Sequence, residues 1–302
     1  MEVVGRLLAL LVLLLVGTGL RVAGVLDDAR TERLNDLAYF VALPALVFVS
    51  TYDRAIDELV SPALFGGLLF VLFVTAATAW IVHRNQSERH RRSVAVTQSY
   101  HSNLGYLGLP LVAATFSDDV TAIASVVLGI VSLAQVPLTV LVLTTINDAD
   151  ASVREELRKL ATNPVLVALV AGLIVGSVAL TVPGPATAGL DLLGTLALPI
   201  ALLCVGASLD VDLPNVDVGA TGSVVALKIV LMPAIAWATF SLLGVDTATF
   251  TAAVVMLGTP TAVSTYVFAN ELGGDEAFAS LNVFLTTLVS VGTLFVLIRA
   301  VS

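Results

Sequence analysis

Charge is what this sequence has least of. Only 12% of its 302 residues are Asp, Glu, Lys or Arg, about half the share of an average soluble domain. It has one cysteine, Cys204, so an intramolecular disulfide and a cysteine-rich metal centre are both excluded. Its three histidines, His83, His90 and His101, have no metal-ligand spacing. No nucleophile–base–acid set stands out either, so no metal, no cofactor and no enzymatic activity are expected. Cations are scarcer than anions, 14 against 23, and the net charge of −9 argues against nucleic acid as a partner.

What fills the chain instead is apolar. Hydrophobic residues make up 58% and mean hydropathy is +1.00, which implies an all-α polytopic protein with the lipid bilayer as its solvent. The first apolar run, Leu7–Val16, resembles a signal peptide in length. Glu2 and Arg6 precede it and apolar character continues to Val25, so it reads as a retained helix. Runs of membrane-crossing length predict ten helices: Val3–Val22, Leu34–Tyr52, Pro62–Val82, Val94–Phe116 and Val120–Ile146, then Pro164–Val182, Ala186–Leu209, Val218–Leu243, Phe250–Asn270 and Ala277–Val301. The polar link 147–163 reads as a solvated connector of helical character.

Arginine and lysine set the expected orientation. Arg21, Arg30, Arg33, Arg84, Arg89, Arg91, Arg92, Arg154, Arg158 and Lys159 all fall at odd-numbered loops, ten of the fourteen cations. Those loops are expected in the cytoplasm, with both termini outside a plasma membrane. The seventh and ninth loops carry only acids (Asp210, Asp212, Asp217; Glu271, Asp275, Glu276), which count for little in this rule.

Two landmarks recur. An Ala-Leu-Pro triplet ends at Pro44 in helix two and at Pro199 in helix seven, 155 residues apart. A Gly-x-Pro triplet ends at Pro110 in helix four and at Pro260 in helix nine, 150 apart. Near-equal offsets in one order predict a duplicated five-helix unit: residues 1–146, a connector at 147–163, and residues 164–302. Five is odd, so the second copy enters the membrane inverted, a pattern that points to a secondary transporter.

The two Gly-x-Pro sites are also where polar residues enter apolar runs. Helix four contains Tyr-His-Ser-Asn-Leu-Gly-Tyr-Leu-Gly-Leu-Pro over residues 100–110, and helix nine contains Gly258 to Thr265. Glycine loosens a helix and proline removes a donor, so both helices are expected to break there. An ordinary kinked helix is the plainer reading of either site alone.

Four stretches carry a family likeness: Leu37–Phe48 (LAYFVALPALVF), Asn103–Leu111 (NLGYLGLPL), Leu227–Pro233 (LKIVLMP) and Pro260–Gly274 (PTAVSTYVFANELGG), the last followed by ASLNVFLTT ending at Thr287. The chain resembles the auxin efflux carrier family of permeases, in the bile-acid, arsenite and riboflavin transporter superfamily. That resemblance implies two inverted five-helix repeats. Helices one, two, six and seven would form a scaffold, and helices three to five and eight to ten a transport domain that moves like an elevator. Helices four and nine would break and cross at the substrate site. It also implies a homodimer through helices two and seven, and a substrate contact from Asn103. Many family members carry Asn at the place of Ser264, so the helix-nine contribution departs from the pattern here.

The residues themselves favour an anion. Half-helix N-termini hold negative charge without a buried cation. Asn103 supplies an amide, and Ser102, Thr261, Ser264 and Thr265 supply hydroxyls, although hydroxyls also bond back to their own helix. Lys228, the one cation well inside a predicted helix, is a counter-charge for substrate or a snorkelling side chain. Gln98 and Gln135 suit interhelical bonding, Tyr106 and Tyr266 flank the breaks, and Gly194, Gly206 and Gly292 read as helix-packing positions. The candidate site is therefore Ser102, Asn103, Gly105, Gly108, Pro110, Lys228, Pro260, Thr261, Ser264 and Thr265. The expected function is secondary transport of a small organic anion, a carboxylate of auxin or dicarboxylate type, directed outward. The alternative is an intramembrane ligand sensor built on a transporter fold.

Overall fold

Backbone polar groups in a bilayer must bond within the chain, and helices do this segment by segment. The structure, a computed structural model, describes residues 2–150, 152–207 and 218–301, without the side chains of residues 2–11, 153 and 218. Among the described residues the regular structure is all helical, with no strand beyond one isolated bridge. In chain order the helices are α1 (Glu2–Val22), α2 (Asp28–Thr51), α3 (Pro62–His83), α4 (Arg89–Gln98), α5 (Leu104–Thr115) and α6 (Asp118–Asn147). They continue as α7 (Val153–Ala161), α8 (Pro164–Ser177), α9 (Gly184–Ala207), α10 (Gly219–Leu243), α11 (Thr247–Leu257), α12 (Ser264–Glu271) and α13 (Glu276–Val301). Six of them are long and apolar enough to cross a membrane, or seven if the bent pair formed by α7 and α8 is one span. The protein is therefore a multi-pass membrane protein. The expected end of helix seven at Leu209 lies outside the described residues, as do Asp210, Asp212 and Asp217.

Helix ends follow local chemistry. Asp27 caps α2 by accepting from the Arg30 N–H at 2.8 Å, which is why helix starts in the polar DARTER segment, before the apolar run predicted from Leu34. Asn163 accepts from the N–H groups of Val165 and Leu166, with Pro164 at the first helical position where its missing donor costs nothing. Gly244, at φ 60°, closes α10 in the left-handed conformation.

Three π-helical turns are absent from the sequence expectations: Ala38–Ala42, Leu104–Gly108 and Ala226–Leu231. Each ends two residues before a proline, Pro44, Pro110 and Pro233 respectively. A proline lacks the N–H for its turn and its ring crowds the carbonyl four residues back, and in all three cases that carbonyl belongs to the widened turn. These helices absorb their prolines without breaking.

The chain divides into two compact units. The first comprises residues 1–62, 105–129 and 160–209; the second comprises 63–104, 130–159 and 210–302. Helices one, two, six and seven of the sequence reading fall in the first unit, and three, eight, nine and ten in the second. Helices four and five are shared between the units, where the resemblance placed both with the transport group. In the first unit α1 lies against α9 at small residues: a side chain on Gly206 would run into the Leu14 carbonyl oxygen. Gly194 likewise faces the Leu46 main chain, whereas Gly292 faces open space and is not a packing position. Tyr106 packs against Ala38, Ile200 and Cys204. The second unit buries most of the polar residues singled out above.

Candidate functional site

Helix four breaks earlier than its glycines. α4 ends at Gln98, and residues 99–103 leave the helix before the chain resumes at Leu104. Gly105, Gly108 and Pro110 ride inside α5, in the first unit, because the π-turn accommodates Pro110. Hydroxyls at the end of α4 bond back to its carbonyls, Thr97 to Ser93 and Val94, Ser99 to Ala95, a habit that bends helices. Helix nine breaks where expected: α11 ends at Leu257 and α12 begins at Ser264, so Pro260 and Thr261 are extended and Thr265 is already helical.

Within the second unit the two extended stretches pair. Ser102 and Thr261 form an antiparallel bridge. The Asn103 N–H donates to the Pro260 carbonyl at 2.9 Å, and the Ala262 N–H to the His101 carbonyl at 3.1 Å. The outer edges of this two-residue ladder are closed by side chains. Gln135 on α6 acts like a third strand: its Oε1 accepts from the Ser102 N–H at 3.0 Å and its Nε2 donates to the Ser102 carbonyl at 3.1 Å. On the far side the Thr261 N–H donates to Thr286 Oγ1 at 3.4 Å. Non-helical backbone at this depth thus finds partners within the protein, as a bilayer requires.

Most of the nominated side chains serve this framework. Thr261 Oγ1 donates to the His101 carbonyl, and Ser102 Oγ to Met232 Sδ. Thr265 Oγ1 donates to the Ala262 carbonyl at 2.6 Å and accepts from Gln98 Nε2 at 3.0 Å. Gln98 also donates to the Ala279 carbonyl and accepts from Asn282. His101 and Tyr100 meet at the Thr139 hydroxyl.

Lys228 is fully buried in the π-turn of α10. Its ammonium donates to the Leu257 carbonyl at 2.9 Å and to Met232 Sδ at 3.3 Å. Leu257 is the last residue of α11, so the cation sits at the negative end of a broken helix. No Asp or Glu is buried among the described residues, and the ammonium has no carboxylate counter-ion. It does not snorkel.

Two nominated polar side chains remain unengaged. Asn103 is 3% exposed, yet its amide makes no hydrogen bond to any described residue. Ser264 opens α12 exposed, its hydroxyl without a hydrogen bond to any described residue, while the next two N–H groups, of Thr265 and Tyr266, donate to the Ala262 and Val263 carbonyls. Tyr266, one turn into α12, is exposed rather than packed. Sequence reasoning gave Thr139, Asn282 and Thr286 no role. Asn282 and Thr286 lie in ASLNVFLTT, where an amide and three hydroxyls inside an apolar helix were the available signal.

A family model described as "Membrane transport protein" matches residues 2–156 and 150–298. The chain is similar to an "Uncharacterized transporter" from Methanothermobacter thermautotrophicus, 27% identical over 300 residues, 95% of this chain and 94% of the relative. It is also similar to a "Putative malonate transporter" from Rhizobium meliloti, 24% identical over 268 residues, 86% of this chain and 83% of the relative.

Proposed function

The chain belongs to the membrane transport protein family, and from that premise we propose that it is a secondary carrier for a small organic anion, bound beside the pairing of the two interrupted helices. One observation carries the reading: the Asn103 side chain, 3% exposed and without a hydrogen bond to any described residue, next to the main-chain bridge and the opening of α12. An amide that no described residue engages keeps its donors and acceptor open to a ligand. The sign of the ligand follows from charge. Lys228 is a buried basic side chain with no buried acid among the described residues, and α12 offers the positive end of a helix; both favour a carboxylate.

The relative described as a malonate transporter makes dicarboxylates the first class to test here. The finer architecture belongs to the same proposal: ten membrane crossings in two inverted five-helix repeats, an elevator-like movement, outward transport, a plasma-membrane location with both termini outside, and a homodimer through helices two and seven. The near-equal spacing of the proline landmarks and the pairing of two interrupted helices support it.

The test is tracer flux into liposomes containing the purified protein, across a panel of mono- and dicarboxylates including malonate. Saturable uptake or exchange of at least one, absent from empty liposomes, is the expected result. Binding without movement across the whole panel would overturn transport in favour of a sensor. Absence of both binding and movement would overturn the anion.

A further inference from the structure

The second unit contains a separate cavity of about 250 Å³ lined by Trp80, Arg84, Arg92, Val96 and Ile146. Trp80 lies near the end of α3, Arg84 just beyond it, Arg92 in the first turn of α4 and Ile146 at the end of α6. In a chain so poor in cations, two guanidinium groups at one cavity need a reason. Their neighbours have one: Arg89 pairs with Asp148, and Arg91 pairs with Asp275 at 3.0 Å and Glu88 at 3.6 Å. Neither Arg84 nor Arg92 pairs with a carboxylate among the described residues. The Arg92 Nε is moreover sealed from solvent with no hydrogen-bond partner, and a buried donor without a partner is destabilising.

We propose that Arg84 and Arg92 bind a phosphate group, that of an anionic phospholipid head. Guanidinium forks match phosphate oxygens in paired hydrogen bonds, which would occupy the orphaned Nε. The remaining walls decide between lipid and free phosphate. Val96 and Ile146 are apolar, and Trp80 is 45% exposed at the end of a membrane-length helix, where indole rings settle at the head-group level. An inorganic anion has no use for these three surfaces; an amphiphile with a phosphate head and acyl chains does. Basic pockets among membrane helices on the anionic leaflet bind such heads.

The experiment compares the intact protein with Arg84→Gln, Arg92→Gln, the double variant, and Arg89→Gln, which removes a cation of the same loop that Asp148 already engages. Retention of added lipid is counted by native mass spectrometry and protection is read by thermal melting, with phosphatidylglycerol, phosphatidylcholine or inorganic phosphate as the probe. Phosphatidylglycerol is expected to be retained and to protect. Affinity should fall about fivefold for each arginine lost, roughly 25-fold in the double variant, and remain unchanged in Arg89→Gln. Equal retention of phosphatidylglycerol by the double variant and the parent overturns the site. Equal protection by inorganic phosphate, lost in the double variant, keeps the phosphate site and overturns the lipid as its source. Arg84 lies outside any helix, so its variant keeps the test alive if Arg92→Gln does not fold.

Discussion

Replacing Asn103 with alanine separates binding from folding, because the structure leaves that amide unengaged. No described residue loses a hydrogen-bond partner when it goes. The main-chain N–H of residue 103, which donates to Pro260, survives the substitution. Melting temperature and yield should therefore not fall below parental values, since no hydrogen bond to a described residue is lost. Binding should behave differently. A hydrogen bond to a charged partner contributes about 1.5–3 kcal/mol, so loss of the amide weakens anion affinity roughly 10- to 150-fold. The assay is equilibrium binding of the best anion from the flux panel, followed by flux at concentrations below and above the new dissociation constant. Ser264→Ala should weaken binding less, since its hydroxyl is exposed, and Ser264→Asn should be tolerated. Normal melting with unchanged affinity and rate in Asn103→Ala would refute the site. A large stability loss would refute the claim that the amide is free.

Lys228→Met leaves the last carbonyl of α11 without its donor, and should lower stability by about 1–3 kcal/mol, read by thermal melting in lipid; an unchanged melt would remove the lysine from the helix end. Gln135→Leu strips both partners from Ser102, at about 1–3 kcal/mol for each group left unpaired, and should lower the folded yield more than Lys228→Met; equal yields would contradict the third-strand role. Burial raises the Asp246 carboxyl, but the Thr249 hydroxyl and N–H groups that it accepts from outweigh this and hold it below its ordinary value of 3.8. The α11 cap should accordingly be constant above pH 4 and weaken only as pH falls through the depressed value. Asp246→Ala should cost about 1 kcal/mol at neutral pH, and a cost that persists undiminished in acid would contradict the assignment.

The sequence made some of this legible and hid the rest for physical reasons. Apolar length alone located helical segments in all ten runs, because periodicity and run length are local. That Asn103 lies at an interruption was legible because an amide in an apolar run stands out. The place of the helix-four break was not, since glycine and proline marked a stretch that a widened turn keeps helical. What fixes the true break is pairing between Ser102 and Thr261, and no local pattern reports a contact across so many residues. Lys228 shows the same limit: its depth could be counted along the helix, but its acceptor, the Leu257 carbonyl, lies 29 residues away. The arginines at the Trp80 cavity had been absorbed into a rule about loop charge, which does not distinguish a cation engaged by an acid from one left open.

The bridge between residues 102 and 261 is made by peptide groups, which every residue but proline carries in full. A change of side chain at 103 or 264 therefore leaves the knot itself tied. Under the proposed anion site, a substrate preference could be retuned at these positions one residue at a time without loss of those main-chain bonds. Such a division of labour between main chain and side chain lets one backbone arrangement carry more than one binding chemistry.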